Sequence, residues 1–177
     1  MKSPVTFHSN DKLKMPMYLD SMYNKAASSE TIEEIINALK MTENDTFLDF
    51  GCGKGVVVNK IAQLPIKKVI GVELLKKYAL HSYNTTREND KRKASVEIYH
   101  DDAAIFPIPK DVTVLFFNCP FLDETFKEVL KNLDKSIAEN PRKVRIVFVL
   151  PENFVSQLLG VYKIKINEET FCWEYPM

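Results

Sequence analysis

No run of apolar residues in this chain is long enough to span a bilayer, and the opening MKSPVTFHSNDKLKMPM lacks the apolar stretch of a secretory leader. The cysteines, Cys52, Cys119 and Cys172, are few and far apart and form no C-x-x-C pair. They point to neither a disulfide framework nor a zinc site, which suits a reducing compartment. An excess of one charge is also missing, because 24 Lys and Arg balance 24 Asp and Glu. Neutrality argues against a strong sequence-independent grip on nucleic acid. RENDKRK, residues 87–93, is a local exception that reads as a solvated helix end and loop. The expectation is a cytoplasmic protein with no membrane partner.

Glycine is scarce as well, five in 177 residues, and four of the five are Gly51, Gly53, Gly55 and Gly71. Three of these fall in FLDFGCGKGVVV, residues 47–58, directly after an apolar run that ends in Asp49. A bare structural role would have Asp49 cap a turn and the glycines serve close helix–sheet packing. Their concentration at one place argues instead for a ligand turn.

What is present in quantity is alternation. TFLDF reads as a strand and GVVVNKIAQL as a helix; KKVIGVEL and LKKYALHSYNTTREN repeat the pair. ASVEIYH and VTVLFFNCP are strands, DETFKEVLKNLDKSIAEN an amphipathic helix, and KVRIVFVL a buried strand. A short helix, NFVSQLLG, and a closing antiparallel hairpin from VYKIKI and FCWEY follow. Ahead of them TIEEIINALKM is a helix, with Thr31 and Glu34 as a capping box. Residues 1–30 form an N-terminal arm with no secondary structure of its own, a lid in the case that Tyr18 and Tyr23 fold over a pocket; residues 31–177 form the domain. The predicted fold is α/β, a doubly wound, mostly parallel sheet with helices on both faces. In such sheets ligands sit at the carboxyl ends of the strands, where Asp49, Glu73, Asp102 and Asn118 all fall.

The spacing selects among ligands. A dinucleotide turn is G-x-G-x-x-G, and here Val56 stands where its third glycine belongs. Asp49 would also set a negative charge against a pyrophosphate, which disfavours a nicotinamide oxidoreductase. Lys54 lacks the Ser or Thr of a Walker loop. S-adenosylmethionine fits better, with an α-ammonium for a carboxylate to hold and a carboxylate for backbone N–H groups. Glu73 can accept from both ribose hydroxyls, and Asp102 from the adenine amino group.

FLDFGCGKG, VIGVELL, HDDAAIF and VLFFNCPF, in this order, resemble motifs I to IV of class I S-adenosylmethionine-dependent methyltransferases over roughly residues 31–155. The resemblance implies the Rossmann-like methyltransferase fold. It places Asp49, Gly51 and Gly53 at the methionine end, Glu73 at the ribose, and Asp102 with Ala103 at the adenine. Cys52, Gly55, Leu74 and Asn118 complete the implied cofactor-binding set. The chain is similar to small bacterial methyltransferases with Asn-Pro-Phe after the fourth strand, and more distantly to non-SET histone lysine methyltransferases.

Asn118, Pro120 and Phe121 are the catalytic candidates. Cys119 before proline is held extended, so the Asn118 amide oxygen and a nearby carbonyl can converge on an amine. Phe121 could wall the pocket. NCPF resembles the Asn-Pro-Pro-Phe of amino-group methyltransferases acting on adenine or glutamine, with Cys119 in place of the first proline; the alternative is that NCP merely ends a strand. Alignment and desolvation drive such a transfer, which needs no metal. His100 as a base and Glu152 at the rim are weaker candidates, and Cys119 lacks a visible His partner. The expected acceptor is an amine of a protein or small molecule, with nucleic acid the poorer choice. A non-catalytic S-adenosylmethionine-binding partner or sensor is the alternative.

Overall fold

The computed structural model describes residues 3–13, 26–118, 124–149 and 164–176. Tyr18, Tyr23, Cys119, Pro120, Phe121, Glu152 and the helix expected over NFVSQLLG lie outside the described residues.

The apolar runs become the sheet. β2 (Thr46–Phe50) is buried at every position, as a strand covered on both faces must be. It lies between β3 (Lys68–Glu73) and β5 (Val114–Asn118), parallel to both. β4 (Ser95–His100) extends the sheet beyond β3, and β6 (Val144–Val149) extends it beyond β5. β7 (Ile164–Asn167) and β8 (Thr170–Tyr175) form the expected hairpin, with β8 antiparallel to β6. One strand was not expected: β1 (Val5–Ser9) pairs parallel with β4 at the outer edge. The order among the described residues is β1-β4-β3-β2-β5-β6-β8-β7.

Alternating side chains divide the core. Phe47, Val69, Val96, Val114 and Phe116 pack beneath α1 (Ser29–Leu39), α2 (Val56–Ile61) and α3 (Lys76–Glu88). Leu48, Phe50, Ile70, Leu115, Phe117 and Phe148 face α4 (Glu124–Glu139) through Phe126, Val129 and Leu133. Burying each such side chain contributes about 1.5–3 kcal/mol. The cap of α1 is Ser28 rather than Thr31: the Ser28 hydroxyl accepts from the Thr31 N–H at 3.0 Å.

At the amino end of the sheet, Arg145 donates to the Asp45 carboxylate and to the Leu39 carbonyl, while Thr113 donates to Asp45 at 2.7 Å. This network ties the α1–β2 loop to β5 and β6. At the carboxyl end the chain winds outward from β2 through β3 to β4, then returns to β5 and winds the other way. The crevice between the ends of β2 and β5 is therefore the topological switch point, the place such sheets offer a ligand.

Candidate functional site

Three glycines turn the chain from β2 into α2, with φ of 74° at Gly51, 53° at Gly53 and 82° at Gly55. These are left-handed values that a side chain makes costly. The Gly51 and Cys52 N–H groups both donate to the Val72 carbonyl, at 2.8 and 3.1 Å, which sews the turn to β3. Gly55 has a second reason to be glycine, because a Cβ there would lie 2.2 Å from the Ser82 Oγ and 3.0 Å from its Cα. α2 and α3 meet too closely for a methyl group. Gly55→Ala is expected to lower the melting temperature by about 5–15 °C, from positive-φ strain plus overpacking at roughly 2–4 °C per kcal/mol. A thermal melt checks this, and an unchanged midpoint would show that the two helices yield easily.

Cys52 is buried over Gly71, where an added Cβ would come within 2.9 Å of its sulfur. Burial, then the neighbouring Asp49 and Glu73, push its thiol up, so it stays protonated.

Asp49 and Glu73 define the electrostatics. Glu73 is 8% exposed, and each of its oxygens holds a backbone amide: Oε2 accepts from Gly53 N at 2.9 Å and Oε1 from Leu75 N at 2.8 Å. Burial raises its pKa, while these donors and the Leu74 amide act the other way. Each carboxylate oxygen keeps a second lone pair beyond the one that takes a backbone amide. Asp49 is 2% exposed, and no described residue donates a hydrogen bond to it. Burial first and the nearby Glu73 second raise its pKa to about 8. Of the two acids Glu73 is the one that anchors the turn, through the Gly53 and Leu75 amides. Asp49 is a desolvated acid without a partner, a position that favours a cation or donor supplied from outside the chain.

Both acids of the loop after β4 are held by donors from the chain itself. Asp102 is half-buried and accepts from Ala104 N at 2.9 Å, and Ala103 is buried behind it. Asp101 accepts through Oδ1 from the Asn10 side chain and from Asp102 N, both at 2.9 Å. His100, a weaker candidate base from sequence, is buried with Nδ1 3.2 Å from the Ser9 hydroxyl. Ser9 and Asn10 thus brace this rim. Nothing in their own sequence signals it, since their position depends on β1 joining the sheet. Leu74 is half-buried just beyond Glu73. Asn118 is half-buried at the end of β5, one step past the Phe50–Phe117 pair and so beside Gly51. Lys54, to which the sequence motifs assign no role, extends its ammonium 5.8 Å from the Tyr78 ring centroid and bridges the glycine turn to α3.

Comparison with known proteins is consistent with this arrangement. Residues 24–170 match the family model described as ribosomal RNA adenine dimethylase. An rRNA adenine N-6-methyltransferase of Escherichia coli is 26% identical over 141 residues, 79% of this chain and 53% of that protein. One from Clostridium perfringens is 31% identical over 86 residues, 49% of this chain and 33% of that protein. The chain thus spans about half the length of the Escherichia coli relative. Among solved structures, an RNA methyltransferase from Salinibacter ruber in complex with S-adenosyl-L-homocysteine superposes with a TM-score of 0.68 at 14% identity, over 86% of this chain and 94% of that one. A dimethyladenosine transferase from Plasmodium falciparum gives 0.57 at 20% identity, over 80% of this chain and 48% of that one. At such identities the superpositions speak for the fold.

Proposed function

The chain belongs to the ribosomal RNA adenine dimethylase family and has the class I S-adenosylmethionine-dependent methyltransferase fold, and from this we propose that it binds S-adenosylmethionine and methylates the N6 amine of adenine in RNA. The observation that carries the cofactor assignment is Asp49, buried and without a donor in front of a left-handed glycine turn. An α-ammonium would supply the missing partner, and a pyrophosphate would meet an acid instead. The acceptor assignment rests on family membership and on Asn118 at the neighbouring strand end. It corrects the expectation of a protein or small-molecule amine, which came from neutral overall charge.

Bound there, S-adenosylmethionine would supply an electrophilic methyl: the new N–C bond forms as the S–C bond breaks, a neutral thioether leaves, and the N6 proton is lost to solvent. Asp49 would hold the ammonium, Glu73 would use its remaining lone pairs on the ribose, and Asp102 with Ala103 would border the adenine. Gly51 and Gly53 let the backbone approach the methionine end, with Cys52, Gly55 and Leu74 supporting the turn and its neighbour. Asn118 would accept a hydrogen bond from the acceptor amine and aim its lone pair, with Pro120 and Phe121 following it in sequence.

Two measurements test the reading together. Calorimetry should show saturable binding of S-adenosylhomocysteine and none of NAD. Labelled methyl groups should pass from S-adenosylmethionine to RNA and be recovered as N6-methylated adenosine after nuclease digestion. Transfer to protein with none to RNA would move the acceptor assignment elsewhere; binding of NAD alone would remove the cofactor assignment.

A further inference from the structure

We propose that the outer face of α3 and the loop after it form a basic footprint for the phosphate backbone of the RNA acceptor, an inference that rests on the RNA reading above. The chain is neutral only as a whole. Residues 76–93 contain Lys76, Lys77, Arg87, Lys91, Arg92 and Lys93 against Glu88 and Asp90, a local sum of +4 that leaves −4 for the remainder. The helix directs this charge. Ala79, Ser82 and Thr86 face the core, while Lys76, Lys77, Leu80, His81, Asn84 and Arg87 lie exposed on the opposite side.

Two of the basic groups are already occupied within the protein: Lys76 pairs with Asp11 at 2.8 Å, and Arg92 binds the Thr86 and Ser3 carbonyls. Lys77, Lys91 and Lys93 have no ion pair among the described residues, and the Arg87 guanidinium lies over the Tyr83 ring at 5.6 Å. Lys77 in the first turn of α3 does not serve the helix, because a cation there adds to the positive end of its dipole. The positive charge stands at the two ends of the helix, Lys76 and Lys77 beside the glycine turn, where Lys54 meets Tyr78, and Arg87 with the following loop at the other end. Thirteen residues give about 20 Å, the reach of on the order of six phosphates along one strand.

The same face of the sheet ends in the opposite charge. α1 carries Glu30, Glu33 and Glu34, and Glu30, Glu34, Glu168 and Glu169 line a shallow cleft of about 260 Å³ with Thr31 and Asn167. A polyanion is therefore drawn to the α3 end and repelled from the α1 end. One face of the domain thus fixes the direction from which RNA approaches the site.

The test uses a fluorescein-labelled, adenine-containing RNA hairpin, titrated from roughly 50 to 200 mM salt against the full chain and against Lys77→Ala/Lys91→Ala/Lys93→Ala. Every phosphate that the protein ceases to neutralise flattens the slope of log affinity against log salt by about 0.7–0.9, so the slope of the triple variant should be shallower by about 2. Its affinity should fall about 10- to 100-fold at low salt while S-adenosylhomocysteine affinity and melting temperature stay unchanged. Lys110→Ala/Lys135→Ala/Lys143→Ala makes the same change in net charge elsewhere and should keep the wild-type slope. Identical slopes for wild type and the α3 variant would overturn the footprint and leave the RNA reading standing. Equal losses in both triple variants would also overturn it, because net charge rather than place would then govern. A wild type that binds S-adenosylhomocysteine but no RNA would overturn both.

Discussion

Asp49→Asn is expected to weaken S-adenosylhomocysteine binding by roughly 100-fold and, at the same time, to raise the melting temperature of the free protein. A charge-assisted contact to a buried carboxylate is commonly worth about 2 kcal/mol or more, and about 2.7 kcal/mol corresponds to 100-fold. The gain in stability follows from the raised pKa. An acid near 3.8 when unfolded and about 8 when folded makes the folded state bind more protons over that interval. Its contribution to stability therefore falls as pH climbs from 3.8 to about 8 and is level above. An amide carries no such burden, so at neutral pH the substitution should add about 1–3 kcal/mol, or several degrees.

Cofactor affinity has the opposite slope. Below about 8 a proton must leave Asp49 before it can pair with an ammonium, so wild-type affinity should rise with pH by at most tenfold per unit. The rise should turn over near roughly pH 8, where an α-amino group itself deprotonates. Asp49→Asn should lose the acid-side rise and keep the alkaline fall. Calorimetry across pH reads both limbs. A wild-type curve flat on the acid side, or a variant that binds as tightly as the parent, would show that Asp49 does not receive the ammonium.

Much of the fold was legible because the information is local. TFLDF, KVIGVE and VRIVFV are short runs bounded by turn residues, and strands covered on both faces have that composition. β1 was not legible for the same physical reason. VTFHS is half polar, as an edge strand exposed on one side can be, and its pairing is written in β4: the Val96 N–H donates to the Pro4 carbonyl at 2.9 Å. The cap of α1 was misplaced by one turn because Ser28 and Thr31 are both good caps, and their hydroxyls lie 2.9 Å apart.

The site divides likewise. Asp49 and Glu73 could be brought together from topology alone: β2 and β3 are neighbours, Asp49 faces Gly71, and Glu73 lies two residues further on. That Glu73 would hold the Gly53 amide could not be read, since it depends on how the glycine turn closes. The acceptor proposed above could not be read from composition, because net charge sums the whole chain to zero, whereas a polyanion would respond to how acidic α1 and basic α3 are separated on the surface.

Asn118→Ala should separate the two halves of the site. Asn118 ends β5, the strand hydrogen-bonded to β2, so its backbone lies about one strand spacing, roughly 4.8 Å, from the glycine turn. Donor and acceptor ends would then meet across two adjacent strands, at a separation from which a reacting nitrogen and methyl can close to about 3–3.5 Å. A side chain that only orients the acceptor amine acts in the transition state and contributes little to holding the cofactor. Removing it should lower kcat for methyl transfer by about 10²–10³, the usual cost of losing one preorganised hydrogen bond at a reacting centre. S-adenosylhomocysteine affinity should stay within about threefold and the melting temperature nearly unchanged, because the residue is half-buried at a strand end. Asn118→Asp keeps the acceptor oxygens but loses the amide donor, and it should retain part of the rate. Single-turnover transfer measured beside calorimetry gives the split. If kcat is unchanged, Asn118 merely ends a strand; if affinity and rate fall together, it belongs to the cofactor pocket and another group aligns the amine.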